Sequence, residues 1–148
     1  ASCVLLIIAN GRRFLLTGDI GRERERGLVR YWRDTLRADW LLVAHHGSST
    51  STGAAFLRAV APRWAALTFG RANPFGHPAP AVVQRLCRGG TRLDGTAAGG
   101  ALHYRVDADG TVTVSRYRER HGRYWRRAPP LTPLHCRAYN RANLGVEE

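Results

Sequence analysis

Trp40-Leu41-Leu42-Val43-Ala44-His45-His46-Gly47-Ser48 changes character in its middle, where five apolar residues end abruptly in two histidines, a glycine and a serine. A continuous apolar run of that length reads as a strand buried on both faces, the kind found inside a parallel sheet. Polar residues gathered just past its carboxyl end stand where open α/β sheets collect their ligands.

On the amino-terminal side, Val4 to Ile8 and Arg12 to Leu16 are β-prone runs separated by Asn10-Gly11, a dipeptide that supplies the positive φ angles of a tight hairpin. From about Arg22 to Arg37, Leu28, Val29, Trp32 and Leu36 recur at helical spacing, which predicts an amphipathic helix packed on the sheet. On the carboxyl side, Ser48-Ser49-Thr50-Ser51-Thr52 offers several N-cap candidates for a helix carrying Phe56, Leu57 and Val60, closed by Pro62. Trp64 to Phe69 reads as another strand, and 70–80 as a loop rich in Gly, Pro and Asn. A helix with Val82, Val83, Leu86 and Cys87 inward then stops at Gly89-Gly90. Short strands follow near Thr91 to Leu93, Ala101 to Val106 and Thr111 to Ser115. Strands alternating with helices predict an α/β layered domain.

A chain of 148 residues, 44% of them hydrophobic, can bury one sizeable core. It carries 23 basic against 11 acidic residues, a formal net charge of +12, and every one of those bases is arginine. Such a surplus favours polyanions, with nucleic acid or an anionic membrane surface as the natural partners. No apolar run approaches the roughly 20 residues that span a bilayer. Cys3, Cys87 and Cys136 are scattered, form no CxxC pair and give no metal or disulfide signal, so Cys3 and Cys87 are expected as buried small hydrophobes.

Three polar clusters each follow a predicted strand: Thr17-Gly18-Asp19, His45-His46-Gly47-Ser48 and Asn73-Pro74-Phe75-Gly76-His77-Pro78. Imidazole and carboxylate are ligands that zinc and manganese accept, and a carboxylate can bridge two ions. Each residue also has a plainer reading. Asp19 could cap the following helix, His45 and His46 could be polar residues at a strand exit, and His77 could shape a turn. In an extended chain adjacent side chains point oppositely, so one histidine of the pair is expected to face the site and the other to support it. If the clusters converge, Asp19, His77 and at least one of His45 and His46 share one polar pocket. His103, His121 and His135 fall outside these clusters.

Taken in order, Leu15-Leu16-Thr17-Gly18-Asp19-Ile20, Ala38-Asp39 with the strand and its His45-His46-Gly47-Ser48, and Asn73 to Pro78 resemble the metallo-β-lactamase-like domain of ComEC competence proteins. The resemblance covers roughly residues 1–115 and leaves 116–148 as a basic, aromatic, irregular tail. It implies the carboxyl-terminal half of a four-layer αββα sandwich with a dinuclear zinc or manganese site at one edge. Asp19 would be the bridging carboxylate and His77 a late histidine ligand. His45 and His46 would lie in the same site as ligands or substrate-positioning residues.

The family's HxHxDH-type cluster is absent from this sequence, and no methionine opens it, so the chain is expected to be a fragment, inactive alone. Its expected partners are the missing amino-terminal half, DNA, and the membrane channel of a parent protein in the bacterial inner membrane, with this domain on the outer side. The implied activity is metal-dependent hydrolysis of a DNA phosphodiester during DNA uptake. Two rivals are a related hydrolase of an ester, a lactone or RNA, and a catalytically idle DNA-binding module. The tail Arg116 to Arg127 interleaves arginines with aromatics, as single-strand binders do, and has a plainer reading as a solvated extension after the last strand. A half-sandwich should leave one face of its sheet, including some of Val4, Leu6, Ile8, Leu41 and Val43, poorly covered.

Overall fold

Asn10 and Gly11 take left-handed φ angles of 47° and 73° and turn β1 (Leu5–Ala9) back into β2 (Arg12–Leu16), with Ala9 opposite Arg12. The computed structural model describes residues 2–70, 72–122 and Cys136. β3 (Trp40–Leu42), β4 (Trp64–Leu67) and β5 (Arg92–Gly95) run parallel to β2, giving a five-stranded sheet in the order β1-β2-β3-β4-β5. The chain is therefore mixed α/β, as the alternation of periods predicts.

The crossovers are α1 (Arg22–Trp32), continued by a 3₁₀ turn over Arg33–Leu36, then α2 (Ala54–Val60) and α3 (Pro80–Arg88). Strands added consecutively by crossovers of one hand put these helices on one face of the sheet. Leu15, Leu41, Ala65 and Leu93 stand side by side in register on that face and pack with Leu36, Phe56, Val60, Val82, Val83 and Leu86. Of the apolar residues named above, Leu41 and Val43 are fully covered, because they project beneath the helices.

The opposite face is dressed by a hairpin of β6 (Leu102–Val106) and β7 (Val112–Arg116), reached through a single turn of helix, α4 (Thr96–Gly99). Buried Asp94 accepts hydrogen bonds from Tyr104 Oη at 2.7 Å and Arg116 Nε at 2.8 Å, and Tyr104 stacks edge-on against Trp40 at 5.1 Å. Burial, reinforced by the Asp94 carboxylate, pushes the Tyr104 phenol above its ordinary pKa. The far end of the hairpin is tied to the β1–β2 turn, where Arg12 Nε donates to the Gly110 carbonyl at 2.7 Å. Leu5 and Ile7 on this same face stay 54% and 42% exposed, and Leu6 and Ile8 of β1 are exposed on the other. α5 (Tyr117–Arg120) follows β7 directly, and Arg118 bonds the α4 carbonyls. The arginines and aromatics of 123–127 lie outside the described residues.

Three local expectations change. Trp32 is exposed, because α1 stops there and Arg33 turns the backbone to φ 42° before Leu36 re-enters the core. None of Ser48 to Thr52 caps α2: its N-cap is Gly53, and the capping group is the buried Glu25 carboxylate of α1, which accepts from Thr52 N–H and, at 2.8 Å, from Gly53 N–H. Cys3 is exposed, and Cys87 is joined to Cys136 by a disulfide with Cα atoms 5.1 Å apart. A separation of 49 residues has no sequence signature.

Because both Glu25 oxygens satisfy amides at a helix start, Glu25→Ala should lower unfolding free energy by roughly 2–4 kcal/mol, with Glu25→Gln in between. Urea denaturation followed by circular dichroism checks this; wild-type stability in the alanine variant would contradict the capping role.

Candidate functional site

β3 does not run on into the histidines as an extended chain. His45 (φ 50°, ψ 45°), His46 (φ 54°, ψ 18°) and Gly47 (φ 84°) form three consecutive left-handed residues. For residues with a Cβ this conformation costs about 1–2 kcal/mol each and persists where its surroundings over-determine it. Here they do. His45 N–H donates to the Gly18 carbonyl at 3.0 Å, Ser48 N–H to His45 at 2.8 Å, Ala79 N–H to Gly47 at 2.8 Å, and Ser51 Oγ to Ala44 at 2.8 Å. The simple alternation expected of an extended pair does not apply: the two rings are 6.5 Å apart and each has its own neighbour.

The neighbour of His46 is Asp19, with Nε2 to Oδ1 at 3.6 Å. Asp19 is held at the end of β2 by its own amide, which donates to Ser2 Oγ at 3.2 Å, and it does not cap α1, whose N-cap is Gly21. The other ring nitrogen of His46, Nδ1, lies 2.6 Å from the Thr68 carbonyl and 3.0 Å from Thr68 Oγ1. A carbonyl can only accept, so Nδ1 carries the proton and donates. In the neutral ring this leaves the Nε2 lone pair facing a carboxylate, which is the anchoring that metal-binding imidazoles receive from a backbone carbonyl behind them.

The neighbour of His45 is His77, ring to ring at 5.9 Å. His77 is placed by Asn73, whose Oδ1 accepts from His77 N–H at 2.8 Å and whose Nδ2 donates to the carbonyls of His77 (2.8 Å) and Gly70 (3.1 Å). A cis His77–Pro78 peptide follows, and Pro78 sits against Gly47. His46, Thr68, Phe69, Gly70, Asn73, Phe75 and His77 line an open pocket of about 210 Å³.

Asp19, His45, His46 and His77 therefore occupy one end of the sheet as two adjoining pairs, although Asp19 does not line the pocket. Donors bound to one ion at about 2.0–2.2 Å in tetrahedral array lie about 3.3–3.6 Å apart, so the 3.6 Å spacing of Asp19 and His46 suits two ligands of one ion. Among the described residues, no group of three or more His, Cys, Asp or Glu side chains is arranged to hold a metal. The sequence did not single out Thr68 or Ser2. The former had one signal, its place just beyond the apolar core of a strand.

The sheet is of the open α/β class, with a carboxylate and histidines at its strand ends, where such sheets gather ligands. Comparison with known proteins narrows it. The chain is 38% identical over 128 residues to Competence protein ComA of Neisseria gonorrhoeae, covering 86% of this chain and 18% of that protein. It is 35% identical over 115 residues to ComE operon protein 3 of Bacillus subtilis, covering 77% of this chain and 15% of that protein. Against Recombination protein 2 of Haemophilus influenzae it is 39% identical over 102 residues, 68% of this chain and 12% of that protein. The chain thus spans less than a fifth of the length of these curated relatives. No protein-family profile matches it.

A Cβ at Gly47 would lie 2.7 Å from Pro78 Cβ and 2.9 Å from Leu67 Cδ2, in a left-handed residue. Gly47→Ala should therefore cost roughly 2–4 kcal/mol and push the His77 loop away from His45. Denaturant melting reads the first effect and the histidine side-chain resonances the second; an unperturbed variant would show that the turn is not held as described.

Proposed function

We propose that this chain is the carboxyl-terminal half of a metal-dependent phosphodiesterase domain, of the metallo-β-lactamase type, that acts on DNA during uptake by a competence protein. The observation that carries this reading is the Asp19–His46 pair at 3.6 Å, with His46 anchored from behind by Thr68. A relative named as a competence protein supports the competence setting. The exposed apolar residues of β1 and the half-dressed second face suit a sheet made to pack on another layer.

A zinc or manganese ion bound by Asp19 and His46 would supply a water of lowered pKa and positive charge opposite the phosphate. The chain's own residues do the rest. The Thr68 carbonyl fixes the His46 tautomer, Asp19 would offer its carboxylate to the metal, and His45 with His77 offers imidazole donors to the phosphate oxygens. The arginine surplus draws the polyanion in. The amino-terminal half would bring the remaining ligands.

A disulfide such as Cys87–Cys136 belongs to an oxidising compartment, which supports placing the domain on the outer side of the inner membrane. No helix among the described residues is long and apolar enough to cross a membrane, so in this reading the parent's other segments hold it there.

Joined to the preceding half in its parent protein and supplied with manganese or zinc, the domain should hydrolyse DNA, and Asp19→Ala should lower the rate by roughly 10³-fold. DNA affinity should survive that substitution and fall steeply with salt. Undiminished cleavage by the Asp19→Ala protein overturns the mechanism. Binding without cleavage under any metal would indicate an idle DNA-binding module, and faster hydrolysis of an ester, a lactone or RNA would reassign the substrate.

A further inference from the structure

Phe75 is 78% exposed, an unusual state for a phenyl ring in a loop that is otherwise held in place. Three Asn73 hydrogen bonds close the loop from Gly70 to His77, and Ala79 N–H fastens its far end to Gly47. One face of the Phe75 ring is stacked on the His77 imidazole, with centroids 5.8 Å apart and planes 23° from parallel. Across the pocket stand Phe69 and Gly70. Gly70 lines the pocket, and a Cβ added there would meet nothing within 4 Å, so a larger side chain can be placed at its rim.

We propose that this pocket receives a nucleobase of a single-stranded nucleic acid, stacked against Phe75, beside the Asp19–His46 pair. The inference rests on the phosphodiesterase reading for its ligand class, and it adds a base-binding site that the cleavage chemistry does not require. A slot of about 210 Å³ admits a planar heterocycle. The polar groups near it are largely committed: both ends of the Asn73 amide are bonded within its loop, and Thr68 engages His46. Stacking without edge-reading donors makes the site indifferent to which base it holds. A base inside a duplex has no free face to offer, so the ligand is an unpaired strand.

The test is photocrosslinking of the full chain to a short single-stranded oligonucleotide carrying 5-iodouracil, without added metal, with the adducts mapped by mass spectrometry. The expected adduct is on Phe75. Phe75→Ala should remove it, Phe75→Trp should retain it, and Gly70→Val, which fills the slot while leaving Phe75 in place, should reduce its yield about tenfold. Placing the same iodouracil within a duplex should also suppress it. Adducts confined to other exposed aromatics such as Tyr31 or Trp32, or a yield unaffected by Gly70→Val, would overturn the proposal. Because no turnover is involved, a Phe75 adduct together with a metal-loaded parent that cleaves nothing would sink the phosphodiesterase reading alone; cleavage without the adduct would sink this one alone.

Discussion

The buried carboxylate of Glu25 is the contact on which the arrangement of helices depends. It lies on α1, accepts from the amides of Thr52 and Gly53 at the start of α2, and shares that segment with Arg85 of α3, whose Nε donates to the Thr52 carbonyl at 3.0 Å. Burial lowers the Arg85 pKa, Arg22 lowers it further, and Glu25 opposes both. A buried acid with both oxygens bonded to backbone is conformationally specific in a way that apolar packing is not. It fixes the stretch from Ser48 to Gly53, and that stretch is the outer wall of the histidine turn.

Strain and support are balanced across that wall. The left-handed run at His45-His46-Gly47 is unfavourable by itself, and it is held because bonds reach it from Gly18 and Ala79, and reach the flanking Ala44 from Ser51, on three separate loops. Those are the loops that carry or adjoin Asp19 and His77. The backbone that makes the turn possible therefore also sets the distance between the groups that give the site its chemistry.

Much of this was legible from residue order. Asn10-Gly11 announced its hairpin, the apolar run from Trp40 to Ala44 announced a buried strand, and the three polar clusters were found together at one sheet end because ligands gather past parallel strands. What escaped depended on long-range partners. Glu25 sits in an alternating Arg-Glu run that looks like a solvated face, and its burial is decided by two amides 27 and 28 residues away. The left-handed histidines escaped because nothing in His-His itself favours positive φ; only Gly47 hinted at it. Thr68 acts through its carbonyl, which every residue type owns. A continuous apolar run does not say which side the helices take, so which of Val4, Leu6, Ile8, Leu41 and Val43 would stay uncovered was not legible.

The disulfide has a consequence for chain topology. By linking Cys87 to Cys136 it closes a covalent ring that contains β5, α4 and the whole β6–β7 hairpin. A ring of this size removes about 4 kcal/mol worth of configurational freedom from the unfolded chain. The hairpin that dresses the second face is therefore leashed at both ends. If the Asp94 contacts with Tyr104 and Arg116 open together with the bonds from Asn10 and Arg12 to its far end, the hairpin can swing away from the sheet but cannot leave its neighbourhood, so its return is a local search whose rate does not depend on protein concentration.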